Sequence, residues 1–473
     1  MKLFNTICHF EWLQLKRQKT QWISLLVFFL IGCYAIYSGH STIQKQNMVL
    51  SKLQQQYDKD HELALQKFTD TLTAETKAQA ATAGMAQMIN FRMPPLALDH
   101  PEGLAVLSIG QRDVNPYYQK VKSSINYLDQ ENVEISNPAQ LFAGNFDLSF
   151  VLIYLLPLLI ITLCYHTYAE EKEQGTYSLL SIQAANLTTI MHYKILFRLG
   201  IILGLILLLN LIGFMAAAQQ AALSISSMML WLWLSLAYII FWFAICYFFL
   251  QLKRSSIVTA LQLVAAWLFF LILLPSLTNS YLSLKYPIPL RASLASYQRH
   301  ISEEVWEMKP IALADSFNRY NPQYKSSINL AKDSTRNGER FIAGYYDLSE
   351  RKIVRFARGI DQQLAQKNKM ASQLAVINPS IQLQYLFNGL AHTGRSDHQN
   401  FKQAVVSFQK KWKHHLLRYQ LAGIHFTPTE LEQLPKFKLE NPSNNLSIWI
   451  GSLSLWLGAG LFLLISLTIK RKI

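Results

Sequence analysis

The sequence predicts an all-α, polytopic membrane protein with six spanning helices, both ends of the chain cytoplasmic, and two mainly helical domains outside. Three observations predict it. The apolar residues, 51% of 473, are gathered into near-pure runs separated by long polar stretches, a contrast that the mean hydropathy of +0.14 conceals. Runs of ~18 or more apolar residues span ~30 Å of hydrocarbon as a helix, and none of these runs alternates as a barrel strand would. Cations flank the runs at alternate ends.

The apolar runs cover residues 22–37, 148–165, 199–218, 228–250, 257–277 and 446–469. The first is short enough to resemble the core of a signal peptide, but no small-x-small cleavage site follows; Tyr37-Ser38-Gly39-His40 predicts an uncleaved anchor. The net charge is +15, and its placement gives the orientation. Of 44 Lys and Arg, 9 fall in residues 41–147 and 23 in 278–445; the other 12, from Lys2, Lys16, Arg17 and Lys19 through Lys172, Lys194, Arg198, Lys253 and Arg254 to Lys470, Arg471 and Lys472, sit at alternate ends of the spans. By the positive-inside rule those ends are cytoplasmic, and long loops are exported largely regardless of charge. A basic exported loop then needs no nucleic-acid partner, and none is expected.

In chain order, residues 1–21 read as a cytoplasmic interfacial helix, because Phe4, Ile7, Phe10, Trp12 and Leu13 recur at helical spacing before Lys16, Arg17 and Lys19. Residues 22–40 are the first span. Residues 41–147 form the first outer domain. It opens on a long amphipathic helix marked by Ile43, Leu50, Leu53, Tyr57, Ala64, Phe68 and Leu72, then becomes rich in Pro and Gly from Gly84 onward, which predicts loops. Residues 148–165 are the second span, 166–198 a cytoplasmic segment, and 199–277 the third to fifth spans. Residues 278–445 form the second outer domain, with helical periods over 350–377 and 400–421, and 446–473 hold the sixth span and a short basic tail. Cys8, Cys33, Cys164 and Cys246 all lie outside the outer domains, which therefore have no disulfides to rely on. Short words recur in order: Asn115-Pro116-Tyr117-Tyr118, 122–126 and 143–149 against Asn321-Pro322-Gln323-Tyr324, 325–329 and 343–349. A duplicated element and chance repetition both explain them.

The chain has no Gly-rich loop ending in Gly-Lys-Ser/Thr, no Cys-x-x-Cys, no His-Glu-x-x-His and no Gly-x-Ser-x-Gly, so no catalytic residues, metal ligands or cofactors are expected in it. The span cores hold no Asp, Glu, Lys, Arg or His to carry a coupling ion; Pro157 and Pro275 break them, and Asn210 and Gln262 are expected as hydrogen-bond partners between helices. Gly200 and Gly204 make a weak small-xxx-small contact pattern. His392, His398, His414 and His415 are expected to be surface histidines rather than ligands. Lys402, Lys410, Lys411, Lys413 and Arg418, with Phe408 and Trp412 between them, form either a solvated helix face or a contact for anionic headgroups or an acidic partner.

The most informative stretch follows the second span: Glu170-Glu171-Lys172-Glu173-Gln174-Gly175-Thr176, then Leu179 and Leu180, then Lys194 and Arg198. It predicts a span continuing into the cytoplasm with an acidic end, broken at Gly175, and a short helix whose leucines need a bilayer surface or a partner to cover them. This order, acidic cluster, Gly-Thr, Leu-Leu and a Lys before the next span, resembles the coupling segment of ABC transporter permeases of the type-2 exporter class. Residues 137–147 running into the second span, and 378–380 through Leu390-Ala391-His392-Thr393-Gly394 to Phe401 and Trp412, resemble a bacterial branch with two large extracytoplasmic domains and a C-terminal domain of unknown function. The resemblance implies a multi-pass protein of the bacterial cytoplasmic membrane, paired with a second permease, identical or related. It implies a cytoplasmic ATPase partner that binds ATP and magnesium. Glu170, Glu171, Glu173, Gln174, Gly175, Thr176, Leu179 and Leu180 would form the docking segment, the acids meeting basic residues of the partner and the leucines filling its groove. Export of an unidentified substrate, mechanical work on the envelope without transport, and a passive scaffold or receptor are the functions this leaves.

Overall fold

In the computed structural model the described residues are 2–69, 73–123, 146–173, 175, 187–287, 291–324, 334–440 and 445–470. Among them the fold is helical, with one antiparallel pair of short strands. Five helices are long and apolar enough to cross a membrane. The first is α2 (Lys19–Thr69), which follows α1 (Lys2–Arg17); its 51 residues extend roughly 75 Å, so its apolar start and amphipathic remainder are one rod. After α3 (Ala74–Ala83) and α4 (Ala86–Arg92) come β1 (Leu96–Leu98), a 3-10 turn at Gly103–Val106, and β2 (Tyr118–Lys120). Leu96 pairs with Lys120 and Leu98 with Tyr118.

The apolar helix α5 (Leu148–Cys164) is shorter than the five and contains a π-helical turn at Val151–Leu155. A short α6 (Ala169–Glu173) precedes the long apolar α7 (Leu187–Ala218), α8 (Ile225–Gln251) and α9 (Ser256–Lys285). The second polar region contributes α10 (Arg291–Trp306), α11 (Pro310–Tyr320), α12 (Ser334–Ala375), α13 (Pro379–Leu390), α14 (Arg395–Ala422) and α15 (Pro428–Glu432), and α16 (Asn445–Lys470) closes the bundle.

Helix α8 is the axis of the bundle. Trp231, Leu234, Tyr238, Phe241, Trp242 and Ile245 are all buried within it. The outer helices expose one apolar face each: Ile23, Leu26 and Leu30 on α2, Leu207 and Leu211 on α7, Leu261 on α9, Leu457 and Leu464 on α16. Exposed apolar belts of this kind, on helices of spanning length, suit a hydrocarbon solvent and not water.

The π-helical turn of α5 and a second one in α9, at Phe269–Leu273, have a physical cause. Pro157 and Pro275 have no N–H, so carbonyls one turn earlier lose their partner. Side chains supply the missing donors. The Tyr238 hydroxyl donates to the Ile153 carbonyl at 2.9 Å, Trp267 Nε1 to Tyr154 at 3.1 Å, and Asn378 Nδ2 to Phe270 at 3.0 Å. Asn210 accepts from Trp231 Nε1 at 2.8 Å, linking α7 to α8. Gly200 and Gly204 meet nothing within 4 Å where a side chain would be, so their small-residue face packs on no element of the described chain.

The two polar regions read as separate domains share one core. Ile89, Met93, Ala97 and Val121 from the first pack with Phe401, Val405, Phe408, Trp412 and Leu431 from the second. Phe408 and Trp412 therefore point inward and are not interleaved with the lysines of α14 on an exposed face. Parts of both regions also enter the bundle. Leu104–Leu107 on one side, and Leu383, Leu386, Phe387 and Leu390 of α13 on the other, belong to the same buried cluster as the apolar helices. Gly39 permits the first insertion, because a Cβ there would lie 2.0 Å from the Val106 carbonyl oxygen.

The sequence echo has no common structure in its described parts. Asp147 caps the start of α5, whereas Asp347 lies inside α12. The segments 124–145 and 325–333 are outside the described residues.

Candidate functional site

The bundle has two polar ends, and the end where α1 lies holds the charged one. α1 turns Phe10, Trp12 and Leu13 outward and buries Glu11 at 3% exposure. That arrangement would be inverted in water; beside a bilayer it puts the apolar face into lipid and the acid against protein. Lys194 and Arg198 are four residues apart on α7, hence on one face, and both are 5% exposed. Lys194 Nζ lies 3.1 Å from Glu11 Oε1 and 2.6 Å from Glu171 Oε1, and Arg198 Nη2 lies 3.3 Å from Glu11 Oε2. Two acids and two bases thus balance in a cluster whose Glu11, Lys194 and Arg198 are buried and whose Glu171 is half-buried at the edge. Removing water from the three buried charges is costly, and only mutual pairing offsets it.

Arg198 also explains how α5 ends. Its Nη1 donates to the Leu163 carbonyl and to the Thr167 hydroxyl, while that hydroxyl donates to the Cys164 carbonyl at 2.7 Å. A guanidinium has enough donors to serve the orphan carbonyls of a helix C-terminus and an acid together. The span therefore stops at Cys164, turns over 165–168 and restarts as α6; the expected unbroken extension into an acidic helix is absent. Beside this turn, Gln21 Nε2 lies 3.1 Å from His166 Nε2. Burial, reinforced by Arg198 and Lys194 and opposed by Glu173, holds the His166 pKa down at about 4, so its ring is neutral at pH 7.

Of the eight residues expected to dock a partner, the structure locates the side chains of only part. Glu171 is bonded within the chain to Lys194. Glu173 accepts from the Ser256 backbone N at 3.0 Å and its hydroxyl at 2.7 Å, capping α9 from a distance. These bonds favour the ionised form and hold the Glu173 pKa below the usual carboxylate range. Two of the three acids assigned to a partner's basic residues are therefore committed to this chain, stitching the segment to α7 and α9. Gly175 has φ +71°, a left-handed conformation suited to glycine, and turns the chain after α6. Gln174, Thr176, Leu179 and Leu180, and the side chain of Glu170, lie outside the described residues.

In the sequence, Lys194 and Arg198 mark the cytoplasmic side and Lys194 closes the coupling-like segment, but neither role pairs them with Glu11. A signal was present: Glu11 is the one acid before Asp58, and the two bases are spaced four apart beside an apolar run.

The opposite, lobe-bearing end is held chiefly by neutral donors and acceptors, together with one buried acid and the Arg112–Asp99 ion pair, whose Nη1 to Oδ2 distance is 2.7 Å. Asp147 accepts from the Phe150 and Ile109 backbone N–H groups, both at 2.8 Å, and from the Ser149 hydroxyl at 2.7 Å. Burial outweighs these bonds and pushes its carboxyl up to about 6. The Ser108 hydroxyl donates to Asn388 Oδ1 at 2.7 Å, and the Thr393 hydroxyl donates to the Ser108 carbonyl at 2.9 Å. Gly110, at φ +57°, lets the chain pass Thr393, whose carbonyl oxygen a Cβ would meet at 2.5 Å. His392 is no simple solvated histidine: it lies 3.3 Å from Asp397 and 3.6 Å from Glu102, and its pKa is raised, chiefly by the Asp397 bond. His414 bonds the Tyr324 hydroxyl. No group of three metal-ligating side chains occurs among the described residues.

A family model described as a domain of unknown function (DUF3526) matches residues 292–440, which hold most of the second polar region and α13 and none of the charged cluster. No curated protein and no solved structure matches the chain.

Proposed function

We propose that this chain is the transmembrane permease subunit of an ATP-driven exporter of the ABC type-2 class, carrying movement of a separate cytoplasmic ATPase to an unidentified substrate. In this reading α5 is the sixth span alongside the five longer helices. The α1 end faces the cytoplasm of a bacterial cell and the joint lobe faces outward. ATP and magnesium are bound by the partner, and the working unit contains a second permease, identical or related.

One observation carries the reading. The Glu11–Lys194–Arg198–Glu171 cluster ties the interfacial helix α1, the segment after α5 and the base of α7 into one unit. A push on the segment around Gly175 is then delivered to helices that traverse the bundle and not dissipated in a loose loop. A ligand bound to a partner shifts this chain only if the two states differ in such contacts.

Co-expression with candidate ABC ATPases, followed by purification through a tag on this chain, tests the proposal. Co-purification that is lost with Leu179→Asp supports it; absence of any ATPase partner contradicts it.

A second reading, mechanical work on the envelope without transport, is favoured by the shared core of the two outer regions and by α13 seated between α8 and α16. Such a lobe moves with the bundle as a lever. ATP turnover in proteoliposomes with no flux of any tested solute supports this reading over export.

A further inference from the structure

We propose that His392 is a proton-operated clasp between the two outer regions: its protonated ring joins Glu102 of the first region to Asp397 of the second, and deprotonation releases Glu102. A carboxylate faces each ring nitrogen. Nδ1 lies 3.3 Å from Asp397 Oδ1, in the first turn of α14, and Nε2 lies 3.6 Å from Glu102 Oε2, just before the 3-10 turn. A neutral imidazole has one N–H and one lone pair, so it serves one acid and turns the lone pair on the other. An imidazolium donates to both. The arrangement is matched to the charged ring.

The surroundings hold the ring there. Asp397 accepts from the Gly394 backbone N–H at 3.0 Å. His392 has φ +51°, a left-handed conformation uncommon outside glycine, and the next residue pins the turn: the Thr393 N–H donates to the Asn388 carbonyl and its hydroxyl to the Ser108 carbonyl, both at 2.9 Å. The His392 side chain is 14% exposed and Glu102 45%, so Glu102 is the solvent-facing partner that lets go. Asp99 adds its charge, shared with Arg112 at 2.7 Å and with His100, and Arg112 and His398 line the same small cleft as His392. The Asp397 bond, with the charges of Glu102, Asp397 and Asp99, raises the His392 pKa against the opposing effect of burial. The clasp is therefore complete below the ordinary histidine value near ~6.5 and is lost as pH rises through the raised one. Glu102 leads directly into Gly103–Val106, which is buried in the bundle, so its release loosens the outer end of that insertion. The clasp depends on neither the ATPase nor the membrane orientation; with the lobe outward, the pH it follows is that of the exterior.

Exchange of the histidine C2–H, read by mass spectrometry of the full chain in detergent across pH, gives the His392 midpoint, and amide exchange on the same samples gives protection factors for 102–107. The midpoint should lie above the ordinary ~6.5 and fall by about half a pH unit in Glu102→Gln, the scale of one solvent-screened ion pair. Protection of 102–107 should fall as pH rises through that midpoint. This step should shrink in Glu102→Gln and disappear in His392→Gln, and it should remain in Asp147→Asn, which removes another lobe-end group that titrates in this range. If His392→Gln does not fold, Glu102→Gln, an exposed substitution, carries the test. A His392 midpoint at or below the ordinary value, a midpoint unmoved in Glu102→Gln, or protection of 102–107 that does not follow the midpoint would overturn the proposal.

Discussion

The two ends of the bundle solve the same problem with different chemistry. At the α1 end, elements distant in sequence are joined by full charges: Glu11 and Glu171 against Lys194 and Arg198. At the lobe end, joining is done mainly by apolar insertion and neutral hydrogen bonds; the buried Arg112 pairs with Asp99 of its own region and reaches α2 through the neutral Gln46. Phe387 stacks on Trp231 with ring centroids 3.9 Å apart, and Asn378 caps α13 while bonding the Phe270 carbonyl. A charge cluster is strong only while complete, because each member stabilises the others against desolvation. A packed plug loses strength in small increments as its contacts are trimmed.

The largest effect should come from breaking the charge cluster. Arg198→Met leaves Glu11 buried with only Lys194 as partner and should cost about 3–5 kcal/mol, read as a lowered melting temperature in detergent. Glu11→Met/Arg198→Met should recover much of that loss. A double variant no better than the single would mean that the pair does not act as a unit.

At the lobe end, Asn378→Ala removes the cap of α13 and the donor to Phe270 together, and should cost ~1–2 kcal/mol in the same melts. No second substitution at the charged end should restore it.

Acid should move the two ends in opposite directions. His166 has a depressed pKa, so its contribution is complete above the ordinary histidine value near ~6.5 and is lost as pH falls toward about 4. Asp147 has a raised pKa, so its contribution is complete below the ordinary aspartate value near ~3.9 and is lost as pH rises through about 6. Acidifying from neutrality should lower the hydrogen-exchange protection factors of 165–173, which correct for the intrinsic pH dependence, and raise those of 147–151. His166→Gln should flatten the first response and Asp147→Asn the second. Protection factors moving in the same direction at both ends would contradict this assignment.

The smallest effect is expected from Glu173→Gln. That side chain is exposed at the cap of α9, where solvent screens the charge and the amide oxygen still accepts a bond. The melting temperature should be unchanged within error.

These contrasts also explain what could be read from sequence. Runs of apolar residues set their own helices, because the backbone has no alternative partner in hydrocarbon. The helices over 350–377 and 400–421 were legible for a similar reason, since their apolar residues recur at helical period. Placement of the polar regions was not legible. The residues of α13 are as apolar as a soluble core helix, and nothing local says that Phe387 packs on Trp231, 156 positions away in the chain. The π-helical turns were announced by Pro157 and Pro275, but their donors, Tyr238, Trp267 and Asn378, come from elsewhere in the fold. The candidate site was half legible. Gly175 and the acids around it stood out, while their partners within the chain, Lys194 on α7 and Ser256 at the start of α9, come from contacts with no periodic signature.

The account depends most on the two ends lying on opposite sides of a membrane, with the charged cluster and Gly175 inside. Single cysteines at Gly175 and Lys410, in a chain whose Cys8, Cys33, Cys164 and Cys246 are replaced by Ala, can be labelled in intact cells with a membrane-impermeant maleimide. The account predicts labelling at position 410 in intact cells and at position 175 only after the membrane is opened. Labelling at 175 from outside, or none at 410, would contradict it.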